Sequence, residues 1–392
     1  MSVPKLRFPE FSDAGEWEEK KLGDIAPLQR GFDLPTYNLE TGSIPVVYSN
    51  GIQNYHKEGM AKAPGLVTGR SGTIGKLHFI EAGDYWPHNT ALWVTSFKHN
   101  IPKFVYFLYL VIGMERFASG SGVPTLNRNY VHAFETCIPL LPEQKKIADC
   151  LSSLDDRITL ETQKLDTLKA HKKGLMQQLF PAEGETLPKL RFPEFRDSGD
   201  WEEKYLGEII EVASGQVDPT EPPYCDLPHI GGENIESHTG NLHAVKTARE
   251  LRLVSGKYLF NEGDVLYSKI RPALNKVAIP NFKGICSADI YPLRPSDDKL
   301  CRRYLAYLLL SETFLEYATK HSDRSKIPKI NRDSLLAYKV VIPHRPEQQR
   351  IADCLTSLED LIAAQSQAID LLKLHKKGLM QQLFPSVEEV KR

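Results

Sequence analysis

Residues 142–181 read PEQKKIADCLSSLDDRITLETQKLDTLKAHKKGLMQQLFP, and residues 346–385 read PEQQRIADCLTSLEDLIAAQSQAIDLLKLHKKGLMQQLFP. The second stretch follows the first at an offset of 204 residues with no gap, and their last eleven residues are identical. A repeat of this kind sets the plan of a chain before any single element does. Apolar residues recur in 4–3 alternation in both copies. Ile147, Leu151, Leu154, Ile158, Leu165, Leu168, Leu175 and Leu179 form the stripe in the first, interrupted by Glu161 and Lys172. Ile351, Leu355, Leu358, Ile362, Ile369, Leu372, Leu379 and Leu383 form it in the second, interrupted by Gln365 and Lys376. So narrow a stripe is a coiled-coil seam, because a lone surface helix shows a wider one. Pro142 and Pro346 stand where a helix start tolerates proline, and Pro181 and Pro385 where a helix must stop. From Ile147 to Leu179 such a helix covers roughly 48 Å at about 1.5 Å per residue. The alternative is two separate amphipathic helices, each on its own core; the matched interruptions favour mutual pairing. An antiparallel pair about a pseudo-twofold axis would layer Glu161 with Lys376 and Lys172 with Gln365. Polar layers of this kind fix register.

A second repeat frames the first. Residues 4–11, PKLRFPEF, recur unchanged as residues 188–195, and the likeness continues through residues 12–25 and 196–209. The offset here is 184, so the variable insert is 20 residues longer in the second half. Each half reads as lead-in, variable domain and long helix. The expected domains are a first recognition domain with its lead-in at 1–141 and a first conserved helix at 142–181. A second domain with its lead-in follows at 182–345, then a second helix at 346–385 and a tail at 386–392. Because the lead-in carrying Phe-Pro-Glu-Phe comes soon after a helix-ending proline, it is expected to be an extended strap against the helix end. The inserts, roughly 26–123 and 210–327, share little sequence. Strands are expected at 44–48, 66–69, 76–80 and 91–96 with a helix at 103–117, and at 264–267, 276–279 and 285–293 with a helix at 302–319. Dense proline and glycine punctuation suits turn-rich strand domains. The fold class is thus α+β: two mixed α/β domains separated by a pair of long antiparallel helices.

At 392 residues the chain is long enough for two or three domains with full cores, and 41% hydrophobic and 25% charged residues are ordinary for a soluble protein. The start, MSVPKLRFPE, lacks an apolar leader, and the apolar run at 104–114 is too short for a bilayer. Six cysteines without a CxxC pattern fit a reduced, cytoplasmic protein. A net charge of −1 argues against a stand-alone nucleic-acid binder, so any DNA-facing surface must be local.

The 204-residue offset begins ahead of the helices: Pro124-Thr-Leu-Asn127-Arg128 aligns with Pro328-Lys-Ile-Asn331-Arg332. Just upstream, Gly120-Ser-Gly122 aligns with Arg324-Ser-Lys326, so a shared scaffold presents different loops. The most glycine-rich loop, Gly69-Arg-Ser-Gly72-Thr-Ile-Gly75-Lys76, is a near-miss to a phosphate-binding P-loop, with Leu77 where Ser or Thr should follow the lysine. Three readings stand: a nucleotide loop, a bare hairpin turn, or a turn meeting DNA phosphates and base edges. Its counterpart, residues 268–276, keeps basic residues and loses the glycines. Trp86-Pro-His88-Asn89-Thr90 has the wrong order for an adenine-methylase motif, yet Asn can pair with adenine in two places. The His171-Lys-Lys173 and His375-Lys-Lys377 turns read as a solvated helix face or as a partner contact. No metal-ligand cluster, nucleophile motif or cofactor loop emerges.

These features together resemble the specificity (S) subunit of type I restriction-modification systems. The likeness covers the full length and rests on the two PEQxxIADCL…HKKGLMQQLFP helices, the paired Pro-x-Leu/Ile-Asn-Arg segments, the repeated W-x-x-x-x-L-G lead-ins and the two dissimilar inserts. The resemblance implies a non-catalytic, cytoplasmic DNA-binding subunit. Each recognition domain would read one half of a bipartite site, and the helices would set the spacer and dock two modification (M) methylase subunits. Those partners would bring S-adenosylmethionine for adenine N6 methylation. Restriction (R) subunits would add ATP- and Mg-dependent translocation and cleavage. Because the inserts differ, the site is expected to be asymmetric. Candidate DNA contacts are Arg70, Ser71, Thr73, Lys76, Asn89 and Arg128 in the first domain. In the second they are Lys269, Arg271, Lys276, Arg324, Lys326, Lys329 and Arg332. A coiled-coil adaptor carrying two globular heads is the rival reading; it explains the architecture but not the basic loops.

Overall fold

Contacts within the chain gather it into two units, one made of residues 1–163 and 366–392, the other of residues 164–365. The computed structural model describes residues 3–120, 123–323 and 325–386. The first long helix spans Leu141–Leu179 and the second Arg345–Leu383, close to the expected bounds. Each unit therefore holds the start of one long helix and the end of the other.

In unit 1, Ile147, Ala148 and Leu151 of the first long helix share a core with Leu383 and Phe384, with Leu379 and Met380 packed against it. Early residues of one helix meet late residues of the other, so the two segments run antiparallel. Unit 2 repeats the arrangement with exchanged partners: Ile351, Ala352 and Leu355 lie with Leu179 and Phe180, flanked by Leu175 and Met176. All twenty seam positions are buried or half-buried, as a 3.5-residue period requires. The polar interruptions behave differently from the expected layering. Lys172 binds Glu359 and Lys376 binds Asp155, both at 2.5 Å, six residues short of the expected partners Gln365 and Glu161. Each lysine thus meets a full carboxylate of the facing helix, about two turns from the expected layer, so the register differs from the one the matched interruptions suggest. Glu161 meets Arg157 of its own helix at 2.5 Å.

The lead-ins are straps, as their sequence suggests. The Arg7 guanidinium donates two bonds to the Glu143 carboxylate, both at 2.7 Å, and the Leu6 N–H donates to the Gln382 carbonyl at 2.9 Å. One strap thus ties the start of the first long helix to the end of the second. The copy in unit 2 does the same through Arg191, which forks onto Glu347 at 2.8 Å, and the Leu190 N–H, bound to the Gln178 carbonyl at 2.9 Å. Strands Glu18–Lys21 and Glu135–Ile138 pair in unit 1, and Glu202–Tyr205 and Lys339–Ile342 pair in unit 2, carrying each strap into its domain.

Each domain contains a four-stranded sheet of the same order. In unit 1 it runs Leu28–Arg30, Ala91–Val94, Gly65–Gly69, Leu77–Ile80; in unit 2, Ile210–Val212, Ile290–Pro295, Val265–Ser268, Val277–Ala278. The second sheets differ. Unit 1 has four strands, Gly51–His56, Ile44–Tyr48, Asp84–Pro87 and Ala61–Lys62, whereas unit 2 has five, which uses its longer insert. Two expectations need correcting. The single strand expected at 285–293 is two strands in different sheets, Gly284–Cys286 and Ile290–Pro295. Between them the Asp289 N–H bonds the Ser287 hydroxyl, a local turn that competes with the ladder. The helix expected at 302–319 is also two, Arg302–Leu310 and Glu312–Lys320. Ser311 is extended (ψ 152°) and accepts from the Phe314 N–H, so it restarts the helix as an N-cap. The unit 1 helix Pro102–Ile112 stops at Gly113, whose φ of +74° suits glycine.

Candidate DNA interface

In unit 1 the strand Gly65–Gly69 delivers the glycine-rich loop. A Cβ on Gly69 would lie 1.7 Å from the Thr73 carbonyl oxygen, so glycine lets the loop fold back on its own base. That role consumes the glycine without any bound phosphate. The next residues are fixed by backbone bonds on two sides. The N–H groups of Arg70 and Ser71 donate to the Thr90 carbonyl at 2.9 and 3.2 Å. On the other side, the Leu126 N–H donates to Arg70 O at 2.8 Å, the Gly72 N–H donates to Pro124 O at 3.2 Å, and Ser71 and Thr125 form a bridge.

Unit 2 builds the same junction from different residues. The Lys269 N–H donates to Asp289 O, and the Ile330 N–H donates to Lys269 O, both at 3.0 Å. The Arg271 N–H donates to Pro328 O at 2.6 Å, and Ile270 bridges Lys329. Pro124 to Leu126 and Pro328 to Ile330 are the repeated segments. They act as one zipper that holds Arg70-Ser71-Gly72 in unit 1 and Lys269-Ile270-Arg271 in unit 2.

The side chains sort as follows. Arg70 Nε donates to the Asn89 carbonyl at 3.1 Å, and the Asn89 amide donates to Asp33, so Arg70, Ser71 and Asn89 share one site. His88 joins it, its ring 4.1 Å from that of Tyr48 and its Nδ1 3.0 Å from the Thr90 hydroxyl. Burial holds the His88 imidazole below its usual pKa, which favours the neutral ring. Thr73 is half-buried in the loop, and Lys76 is exposed beyond Gly75. Arg128 is exposed on the first turn of the helix Arg128–Ala133, after the cap Asn127. Among the described residues, no hydrogen bond ties Lys76 or Arg128 to the Arg70 group. In unit 2 the Lys269 ammonium sits 5.1 Å from the centre of the Tyr291 ring, and Arg271 is exposed. The Lys276 ammonium is bound to the Gly232 carbonyl at 2.5 Å and is half-buried. Lys326, Lys329 and Arg332 are exposed, and Arg332 opens the helix Arg332–Leu336 behind the cap Asn331. Arg324 lies outside the described residues, as do Ser121 and Gly122. The sequence reading missed Asp33, Tyr48 and Asp289. They reach the site from other strands and turns, and no local motif links them to it. Among the described residues no group of three or more His, Cys, Asp or Glu could hold a metal ion. Among them also, no helix is long and apolar enough to cross a membrane.

Two domains with one scaffold and different presented side chains define a class of paired recognition modules. Residues 14–170 and 198–374 each match the family described as the type I restriction modification DNA specificity domain, and the chain belongs to that family. It is 27% identical over 420 residues to the MjaVIII specificity subunit of Methanocaldococcus jannaschii, covering 98% of this chain and 95% of that protein. To the Escherichia coli EcoDI specificity subunit it is 29% identical over 255 residues, which span 59% of this chain and 56% of that relative's length. Among solved structures, the S subunit of a type I system from M. genitalium aligns with a TM-score of 0.62 at 14% identity, covering 98% of this chain and 99% of that one. A chain from a structure on assembly and conformational transition of the type I system aligns at 0.56 and 19% identity, covering 96% and 97%. At these identities the likeness is one of fold.

Proposed function

We propose that this chain is the non-catalytic sequence-specificity subunit of a type I restriction-modification complex. Residues 26–123 read one half of a bipartite DNA site and residues 210–327 read the other. The long helices set the unread spacer and dock two modification subunits. The observation that carries this reading is the shared zipper: identical backbone bonds in both units present Arg70-Ser71-Gly72 in one and Lys269-Ile270-Arg271 in the other. A fixed frame with exchanged side chains is what two recognition modules with different targets need, since phosphate contacts position and base contacts specify. The balanced net charge of −1 fits a subunit whose partners supply part of the DNA grip. In this reading S-adenosylmethionine belongs to the modification subunits, and ATP and Mg to the restriction subunits. The test is selection from random-sequence duplexes by the full chain co-purified with its methylase. Enrichment of a bipartite motif with two unlike halves supports the reading. A palindromic motif, or none, overturns it.

A further inference from the structure

The zipper makes the two loops comparable residue by residue. Gly72 and Arg271 occupy the same place, each donating its N–H to the carbonyl of the repeated proline, Pro124 or Pro328. Both take left-handed backbone conformations, Gly72 at φ +83° and Arg271 at φ +47°, ψ +60°. Glycine adopts that region freely, whereas a residue with a Cβ resists it. Among the described residues five other non-glycine positions share a positive φ (Lys98, His238, Ala244, Arg252 and Asn275), so the angle alone marks nothing. Arg271 differs because the repeat shows glycine doing the same backbone job. The fold does not require arginine there. The Arg271 guanidinium is exposed, and among the described residues it has no hydrogen-bond or ion-pair partner. Its backbone is nonetheless held on both sides. Its N–H is bound to Pro328 O at 2.6 Å, and its carbonyl accepts the Leu274 N–H at 2.9 Å as the turn Pro272–Leu274 begins. An exposed, unpartnered guanidinium on a pinned and conformationally costly backbone is the mark of a functional side chain. At Gly72 a Cβ would meet nothing within 4 Å, so unit 1 leaves this position open rather than filled from elsewhere.

We infer that Arg271 is the base-reading residue of unit 2, its guanidinium forked onto the O6 and N7 acceptors of a guanine. The shared position, glycine in one unit and arginine in the other, is then a specificity switch. This rests on the DNA-reading function proposed above and deepens it. Arginine meets guanine through two parallel bonds from a rigid planar fork, which the single ammonium of lysine matches less well.

The experiment compares the full chain with Arg271→Gly and Arg271→Lys, each co-purified with its methylase and presented with random-sequence duplexes. In the native complex one half-site contains a guanine with strong preference. Arg271→Gly abolishes that preference and weakens binding to the native duplex by about tenfold or more. It leaves the other half-site unchanged and does not lower the melting temperature, because glycine suits the backbone. Arg271→Lys keeps most of the salt-dependent affinity and retains a weakened guanine preference, between the native chain and Arg271→Gly. Retention of the same motif by Arg271→Gly overturns the inference. A clearly lowered melting temperature for that variant overturns it too, because Arg271 would then be structural. A native complex that selects no motif removes the DNA-reading function itself, so the two failures are distinguishable.

Discussion

Arg191 and Glu347 show how a single pair can hold an element. The Glu347 side chain is 3% exposed and Arg191 12%, and the two are joined by a two-bond fork. Removing one partner strands a buried charge, which costs about 3–5 kcal/mol. Arg191→Met should therefore lower stability to urea by about that amount, while Arg191→Met with Glu347→Leu should recover most of it. A single-variant loss under about 1 kcal/mol would show the pair to be incidental. A second residue sets a pH dependence. The His132 Nε2 accepts the Leu28 N–H at 2.8 Å, which requires a neutral ring. Burial, helped by Arg128, lowers the His132 pKa from 6.5. A depressed histidine contributes stability that is present above its unfolded pKa and lost as pH falls through about 6.5 toward the folded value. Melting temperature should fall between about pH 7 and pH 5, and His132→Gln, whose amide oxygen can accept the same N–H, should flatten the slope. An unchanged slope in that variant would assign the effect to other groups.

Phe180 and Phe384 matter at the scale of elements. Phe384 is 2% exposed, stacked on Phe104 at 5.4 Å and edge-on to Trp17 at 6.3 Å. Phe180 stacks on Tyr304 at 5.3 Å. Each directly follows the last residue of a long helix and plugs the core of the unit where that helix ends. Phe384→Ala should cost about 3–5 kcal/mol by urea unfolding despite lying near the end of the chain. A cost under about 1 kcal/mol would mean that the helix end is peripheral. The helices were legible because a 3.5-residue period and its interruptions occur in both copies, and the straps because PKLRFPEF begins only seven residues after the helix-ending Pro181. The breaks at Ser287 and Ser311 were hidden, since each depends on one side-chain bond competing with a ladder or a helix. The partners of Lys172 and Lys376 were misjudged because a 4–3 stripe shows which residues face the seam but not which layer of one helix meets which layer of the other. Gly69, Gly72 and Gly75 were legible as a loop. The pairing of that loop with Pro124 to Leu126 was not, because tertiary structure alone brings residues 70–72 and 124–126 together.

At the scale of the whole chain, the repeat divides what is shared from what is specific. Straps, helix ends, the first sheet and the Pro-x-Leu/Ile-Asn zipper occur in both units, while the second sheets and the presented loops differ. Under the proposed function an asymmetric target is expected from that division, because unlike presented side chains favour unlike half-sites. The most direct test is a chromosome-wide map of N6-methyladenine in cells carrying the gene and in cells lacking it. The account predicts that deletion erases one bipartite motif with unlike halves and leaves the rest of the map intact. An unchanged map, with the partner methylase expressed and active, would contradict it.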